Sequence, residues 1–121
     1  MKIKVVMLEP GKEAYVTEIE NTLRNMQHIV GGLIEACYPF DEQVCIVCNE
    51  EGKITGLPLN RAVCLENGEF ADIIAGTAFI CDCSGEEFGC LNEKQCSRYL
   101  QKFASPEVFL RVDGRIVVLR G

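Results

Sequence analysis

Short apolar runs separated by polar turns dominate the pattern of hydrophobic and polar positions along the chain. Residues 3–8 and 44–49 are apolar at nearly every position, which predicts strands that are buried on both faces. Residues 14–19 alternate only in part and predict a strand with one exposed face. Residues 33–38 and 76–83 are predicted to form two further strands.

The C-terminal segment carries the strongest turn signal in the chain. Asp113-Gly114 readily adopts a left-handed turn and separates the apolar runs 108–112 and 116–119. The chain is therefore predicted to end in a β-hairpin. Asn67-Gly68 and the polar segment 50–53 predict further turns.

Two segments have apolar residues at helical spacing. They predict a first helix near residues 22–30, ended by Gly31-Gly32, and a second near residues 93–104, ended by Ser105-Pro106. Two helices and about seven short strands indicate an α+β fold with a mixed, largely antiparallel sheet. With 121 residues, the chain is expected to form a single domain, residues 1–121.

The net charge of the chain and its distribution limit the classes of partner that the protein is expected to bind. The net charge of −6 argues against nucleic acid, because binding to phosphates requires clustered Lys and Arg. Residues 1–93 carry 16 acidic and 6 basic side chains, whereas residues 94–121 carry 2 acidic and 6 basic. The charges either even out in the folded protein or favour self-association, so a homo-oligomer is left open.

No segment of the sequence predicts a contact with a membrane. An apolar stretch of the roughly 20 residues that a spanning helix requires is missing, and the first residues lack the pattern of a secretion signal. A cytoplasmic location is expected.

Eight cysteines are unusual for a chain of 121 residues. Cys45 and Cys48 have zinc-like spacing, but in a strand residues i and i+3 face opposite sides, so the two sulfurs cannot share an ion. Cys81 and Cys83 would share a face. Disulfides require an oxidising compartment. The cysteines are expected to be reduced core residues with no metal and no cofactor; a structural metal and disulfides are the alternatives.

Polar residues of both charges gather in the middle of the chain. Four of them stand at the end of an apolar strand and in the turn after it, and two follow Gly56-Leu57-Pro58. Rigid sheets commonly present binding residues on such turns. The predicted binding residues are Asn49, Glu50, Glu51, Lys53, Asn60, Arg61 and Asp72.

Arg61 stands out because it is set between apolar residues. A guanidinium held in this way binds carboxylate or phosphate through two parallel hydrogen bonds. One interpretation is a ligand-binding arginine. The other is a structural ion pair, for which the sequence offers Glu35, Glu50, Glu51 and Asp72.

Catalytic residues cannot be assigned from the sequence. The single histidine, His28, falls on the first predicted helix, where a lone histidine is seldom a general base. Gly31-Gly32 lacks the spacing of a phosphate-binding loop. The catalytic residues therefore stay unknown.

Several short segments together resemble one family over nearly the whole chain. They are residues 8–12, 30–35, 38–40, 48–53, 56–62, 72–77 and 105–107. The pattern resembles that of DUF3846, a domain of unknown function in small proteins of bacteria, phages and conjugative elements. The resemblance implies an accessory protein of a mobile element rather than a metabolic enzyme. Of the cysteines, it includes only Cys48.

Three functional hypotheses follow. The first is a non-catalytic binding module for a host protein or a small ligand. The second is a small enzyme in which Glu50, Glu51 or Asp72 acts as acid or base and Arg61 holds an anion. The third is a self-assembling structural protein or an antirestriction-like DNA mimic.

Overall fold

Nine strands and two helices make up the part of the chain that the computed structural model describes, residues 1–120. The strands are β1 (Lys2–Leu8), β2 (Tyr15–Glu20), β3 (Ile34–Cys37), β4 (Val44–Asn49), β5 (Leu59–Cys64), β6 (Phe70–Ala75), β7 (Ala78–Asp82), β8 (Glu107–Val112) and β9 (Arg115–Arg120). The helices are α1 (Leu23–Val30) and α2 (Glu93–Lys102). Within residues 1–120, neither helix is long and apolar enough to cross a membrane.

Five of the strands form the central sheet in the order β2-β1-β7-β4-β3, and every pair in it is antiparallel. The central strands β1, β7 and β4 are the most apolar. Because both of their faces are covered, nearly every side chain in them is buried, as their continuous apolar runs predict.

Helix α1 covers one face of this sheet, here called the α1 face. Its residues Met26 and Val30 pack against Val5, Val47 and Phe79. The helix begins after Thr22, whose side chain accepts a hydrogen bond from the backbone of residue 25, and it ends at a left-handed glycine. Burying one such apolar side chain stabilises the fold by about 1.5–3 kcal/mol.

The opposite face, here called the α2 face, is covered by two elements. Helix α2 contributes Tyr99, and its C-cap residue is Phe103; both pack in one cluster with Ile46 and Ile80 of the sheet. The antiparallel pair β5–β6 contributes Ile74 to the same cluster. The β8–β9 hairpin stands outside this core and contacts β5.

The predicted fold class is confirmed. The chain is α+β with two helices, antiparallel strand pairs and a C-terminal hairpin. The seven predicted strands omit β5 and β6, because Asn60 and Arg61 interrupt the apolar pattern of β5 while being completely buried. Asp72 likewise interrupts the apolar run of β6.

Gly52 holds the turn after β4 against β6. A methyl group at this position would lie 2.7 Å from the carbonyl oxygen of Ala75, and that oxygen belongs to the backbone. The lack of a side chain at Gly52 therefore sets how closely the second strand pair approaches the central sheet.

We predict that Gly52→Ala lowers the free energy of unfolding by about 1–3 kcal/mol, because the backbone must move to admit the methyl group. Gly85→Ala is the matched control, since its added methyl group would meet nothing closer than 3.8 Å. Urea denaturation of both variants measures the difference. Equal stability of the two variants would show that the turn is free to shift.

Candidate functional site

A polar concavity of about 250 Å³ lies between the turn after β4 and strand β6. Its charged lining consists of four carboxylates and one ammonium group, so its net charge is negative. We call it the acidic concavity; its polar and thiol lining residues are Glu35, Cys48, Asn49, Glu50, Glu51, Lys53 and Asp72.

Five of the seven predicted binding residues meet here. Asn49, Glu50, Glu51 and Lys53 come from the end of β4 and the turn, and Asp72 comes from β6. The Lys53 Nζ lies 2.5 Å from the Asp72 Oδ1, and about half of each side chain is exposed. Such an exposed pair contributes about 0–1 kcal/mol, but it neutralises the only cation of the concavity.

Both polar atoms of the Asn49 side chain form hydrogen bonds with the backbone of the protein, so this amide stabilises the fold. Its Nδ2 donates to the carbonyl oxygen of Val30 at 3.1 Å, and its Oδ1 accepts from the backbone N–H of Glu51 at 2.8 Å. Asn49 thus ties the turn to the end of α1 and sets the position of the carboxylates beside it.

Asn60 and Arg61 are not brought into the concavity. Asn60 is fully buried, and its Nδ2 donates to the carbonyl oxygens of Leu8 at 2.9 Å and Gly76 at 2.8 Å. Its Oδ1 accepts from the Arg61 guanidinium at 2.8 Å. The Asn60 amide therefore links β5 to the ends of two other segments.

The guanidinium of Arg61 is also fully buried. It donates to the carbonyl oxygen of Lys12 at 2.6 Å and to that of Glu9 at 3.3 Å, both in the turn after β1. Two further hydrogen bonds reach the carbonyl oxygen of Phe103, at the C-terminal end of α2, at 3.2 and 3.3 Å. That helix end carries partial negative charge, which suits a cation.

These contacts differ from both interpretations drawn from the sequence. Within residues 1–120, no hydrogen bond joins Arg61 to Glu35, Glu50, Glu51 or Asp72; main-chain carbonyls take their place. Burial lowers the pKa of Arg61, and the charge of Glu107 opposes that shift. Because an arginine side chain is not deprotonated in proteins, the group stays charged at neutral pH.

Glu35, Cys37 and Cys48 form a cluster at the edge of the concavity that the sequence did not predict. One ligand atom from each lies within 4.8 Å of the other two. A hydrogen bond from the Cys48 thiol lowers the pKa of Cys37, while partial burial and Glu35 oppose that shift. The same hydrogen bond and burial raise the pKa of Cys48.

The sequence feature that bears on this cluster is strand parity, by which residues two apart in a strand share a face of the sheet. Glu35 and Cys37 lie two residues apart and share a face, but only the register that places Glu35 opposite Cys48 brings Cys48 onto that face. The sequence suggests a comparison of Cys48 with Cys45 alone. Those two cysteines do face opposite sides, since Cys48 belongs to the α2 face and Cys45 to the α1 face, as predicted.

Three other thiols, those of Cys45, Cys81 and Cys83, lie on the α1 face. Cys45 and Cys81 are directly opposite each other on β4 and β7, with their Sγ atoms 3.9 Å apart. Cys83 packs on the same face as Cys81, as strand parity predicts. Burial and the neighbouring thiol raise the pKa of Cys83 to about 11, so it stays protonated at neutral pH.

A family model described as "Domain of unknown function (DUF3846)" matches residues 1–104. The chain belongs to this family. The DUF3846 match runs from β1 through α2 and includes the whole acidic concavity, and the β8–β9 hairpin lies beyond it. Comparisons with curated proteins and with solved structures gave no significant match.

We predict that Arg61→Ala lowers the free energy of unfolding by about 3–5 kcal/mol, because several buried carbonyl oxygens lose their donors at about 1–3 kcal/mol each. Arg61→Lys is expected to recover only part of the loss, since an ammonium group cannot reach all the carbonyls. Lys53→Ala is the control and should cost about 0–1 kcal/mol. Chemical denaturation measures all three; a cost for Arg61→Ala as small as that of the control would contradict the structural role.

Proposed function

We propose that this DUF3846 protein is a non-catalytic binding module, an accessory protein of a mobile element, whose acidic concavity takes a basic segment of a host protein. The assignment to a mobile element rests on the kind of protein that carries this domain. The binding role rests on one observation: four carboxylates line a single concavity whose only cation is already paired with Asp72.

Charge decides the class of ligand. A concave wall with excess negative charge attracts cations and repels phosphates and carboxylates. Glu50 and Glu51 are exposed on the turn, so lysine or arginine side chains of a partner reach them from solvent. A folded partner or a peptide also adds the side-chain contacts that a concavity of about 250 Å³ allows.

The arginine contacts favour binding over catalysis. The enzyme hypothesis needs Arg61 as an anion clamp, but this guanidinium is buried and directs its hydrogen bonds to carbonyl oxygens inside the protein. His28, the single histidine, is on α1 and does not line the concavity. The exposed carboxylates thus stand without the anion-holding group that the enzyme hypothesis assigns to them.

We predict that Glu50→Lys combined with Glu51→Lys weakens binding of a lysine-rich peptide at least about tenfold, because it turns two attractive charges into repulsive ones. Binding to the unaltered protein should weaken as salt rises, since exposed charges are screened. Calorimetric titration with the peptide, and with spermidine as a small cation, measures both effects.

Glu18→Lys, measured beside the single variant Glu50→Lys, is the matched control because each reverses one carboxylate. Glu18 is exposed on β2, at the edge of the central sheet opposite to β3, so its reversal changes the net charge but not the concavity. An equal loss of affinity in this control would overturn the site. Binding of spermidine without binding of the peptide would indicate that the ligand is a small cation and not a host protein.

A second candidate is self-association through the β8–β9 hairpin. Pairing places Val108 opposite Leu119 and Leu110 opposite Val117 on one face, and Val112 continues the row. All five are exposed, Val108 by 56% and Leu110 by 45%. The hairpin contacts β5 but leaves this row open to solvent, so a cover for the apolar row adds stability.

We propose that a second copy of the chain covers this apolar row by packing its own apolar row against it. A second copy offers the same apolar face, and Arg115 is the only charged residue whose register places it there. Two such faces can therefore meet with little opposing charge. The exposed apolar row is the observation that supports this candidate.

We predict that the protein sediments as a dimer and that Leu110→Glu makes it monomeric, because a carboxylate would be buried in the contact. Leu23→Glu is the control: Leu23 is 59% exposed on α1, away from the hairpin. Sedimentation equilibrium over a range of concentrations distinguishes the forms. A monomer in the unaltered protein at the highest concentration would remove this candidate.

A further inference from the structure

Three metal-binding groups converge on one face of the β3–β4 pair. The register places Glu35 directly opposite Cys48, and Cys37 follows two residues after Glu35. Residues opposite each other and residues two apart share a face of a sheet. The three side chains therefore meet because of the strand pairing and not because of a local sequence motif.

The distances suit a single small ion. The ligand atoms of the three residues all lie within 4.8 Å of one another, and the Cys37 Sγ is 3.8 Å from the Glu35 Oε1. In a tetrahedral zinc site, bonds of about 2.0–2.3 Å place neighbouring ligand atoms about 3.5–3.8 Å apart. Small side-chain rotations would close the remaining gap.

The donor types select the metal. Two thiolates and a carboxylate suit zinc, whereas calcium and magnesium prefer oxygen ligands alone. Cys48 is buried, Cys37 is half-buried and Glu35 is exposed, so an ion has a path from solvent to the sulfurs.

Asp72 adds negative charge from the other side. It lines the acidic concavity with Glu35 and Cys48, and it lines a neighbouring groove with Cys37. Its Oδ1 lies 2.5 Å from the Lys53 Nζ, and the ligand atoms that lie within 4.8 Å of one another are those of Glu35, Cys37 and Cys48. Asp72 therefore contributes charge near the thiols rather than a ligand.

We propose that Glu35, Cys37 and Cys48 form a zinc-binding site in which water takes the fourth position. The expectation of no metal rested on Cys45 and Cys48, which indeed face opposite sides; Cys48 instead meets a thiol from the adjacent strand. This site does not depend on a host protein and goes beyond the proposed binding role.

The test is titration of the full-length, reduced, metal-free protein with Co²⁺ and then with Zn²⁺. Bound cobalt should show the near-ultraviolet absorption of a cobalt–thiolate bond at one ion per chain, and zinc should displace it. Zinc should also raise the melting temperature, because it binds the folded state.

Substitutions of the proposed ligands test where the ion binds. Cys37→Ser should weaken zinc binding at least about tenfold and reduce the cobalt–thiolate absorption, since even the loss of a supporting group costs about 10–100-fold. Glu35→Gln should weaken affinity but keep the absorption, because both sulfurs remain. Cys83→Ser is the matched control, a half-buried thiol on the opposite face, and should change neither quantity.

Three results would overturn the site. They are no cobalt–thiolate absorption with excess metal, an unchanged affinity in Cys37→Ser, or an equal loss in Cys83→Ser. Circular dichroism of each metal-free variant verifies that it is folded. Glu50→Lys with Glu51→Lys should keep the absorption at saturating cobalt, so failure of the peptide-binding proposal is seen separately.

Discussion

The buried guanidinium of Arg61 is the constraint on which much of this structure depends. Removing a cation from water costs several kcal/mol unless its donors are satisfied. Here the carbonyl oxygens of Lys12 and Phe103 accept from it, and Asn60 provides another acceptor. Because these acceptors come from the turn after β1, the end of α2 and β5 itself, the charge is satisfied only when all three segments are in place. The Arg61 side chain thus joins the second strand pair to both the sheet and the helix.

The acidic concavity follows from the position of that second strand pair, whereas the thiol cluster at its edge follows from the pairing of β3 with β4. β6 forms one wall and carries Asp72, and the close approach of Gly52 to Ala75 sets the spacing to the turn after β4. Carboxylates from β3, from the turn after β4 and from β6 then line the same concavity. Such an arrangement favours cationic ligands, either the basic side chains of a partner or a metal ion that the thiols select.

The β8–β9 hairpin differs from the rest of the chain in the exposure of its apolar residues. Residues 1–104 match the DUF3846 family and contain the sheet, both helices and the concavity. β8 and β9 lie beyond that match and expose an apolar row instead of burying it. The features that support ligand binding and those that support self-association are therefore carried by separate parts of the chain.

The sequence by itself determined the elements whose pattern is local. Apolar runs identified β1 and β4, helical spacing identified α1 and α2, and Asp113-Gly114 identified the hairpin, because periodicity and turn chemistry act over a few residues. Parity also separated Cys45 from Cys48. Only the tertiary structure decided that Arg61 is buried and that Cys37 meets Cys48. A buried polar residue breaks the apolar pattern of its strand, and the register between two strands is a contact between distant residues that no local pattern contains.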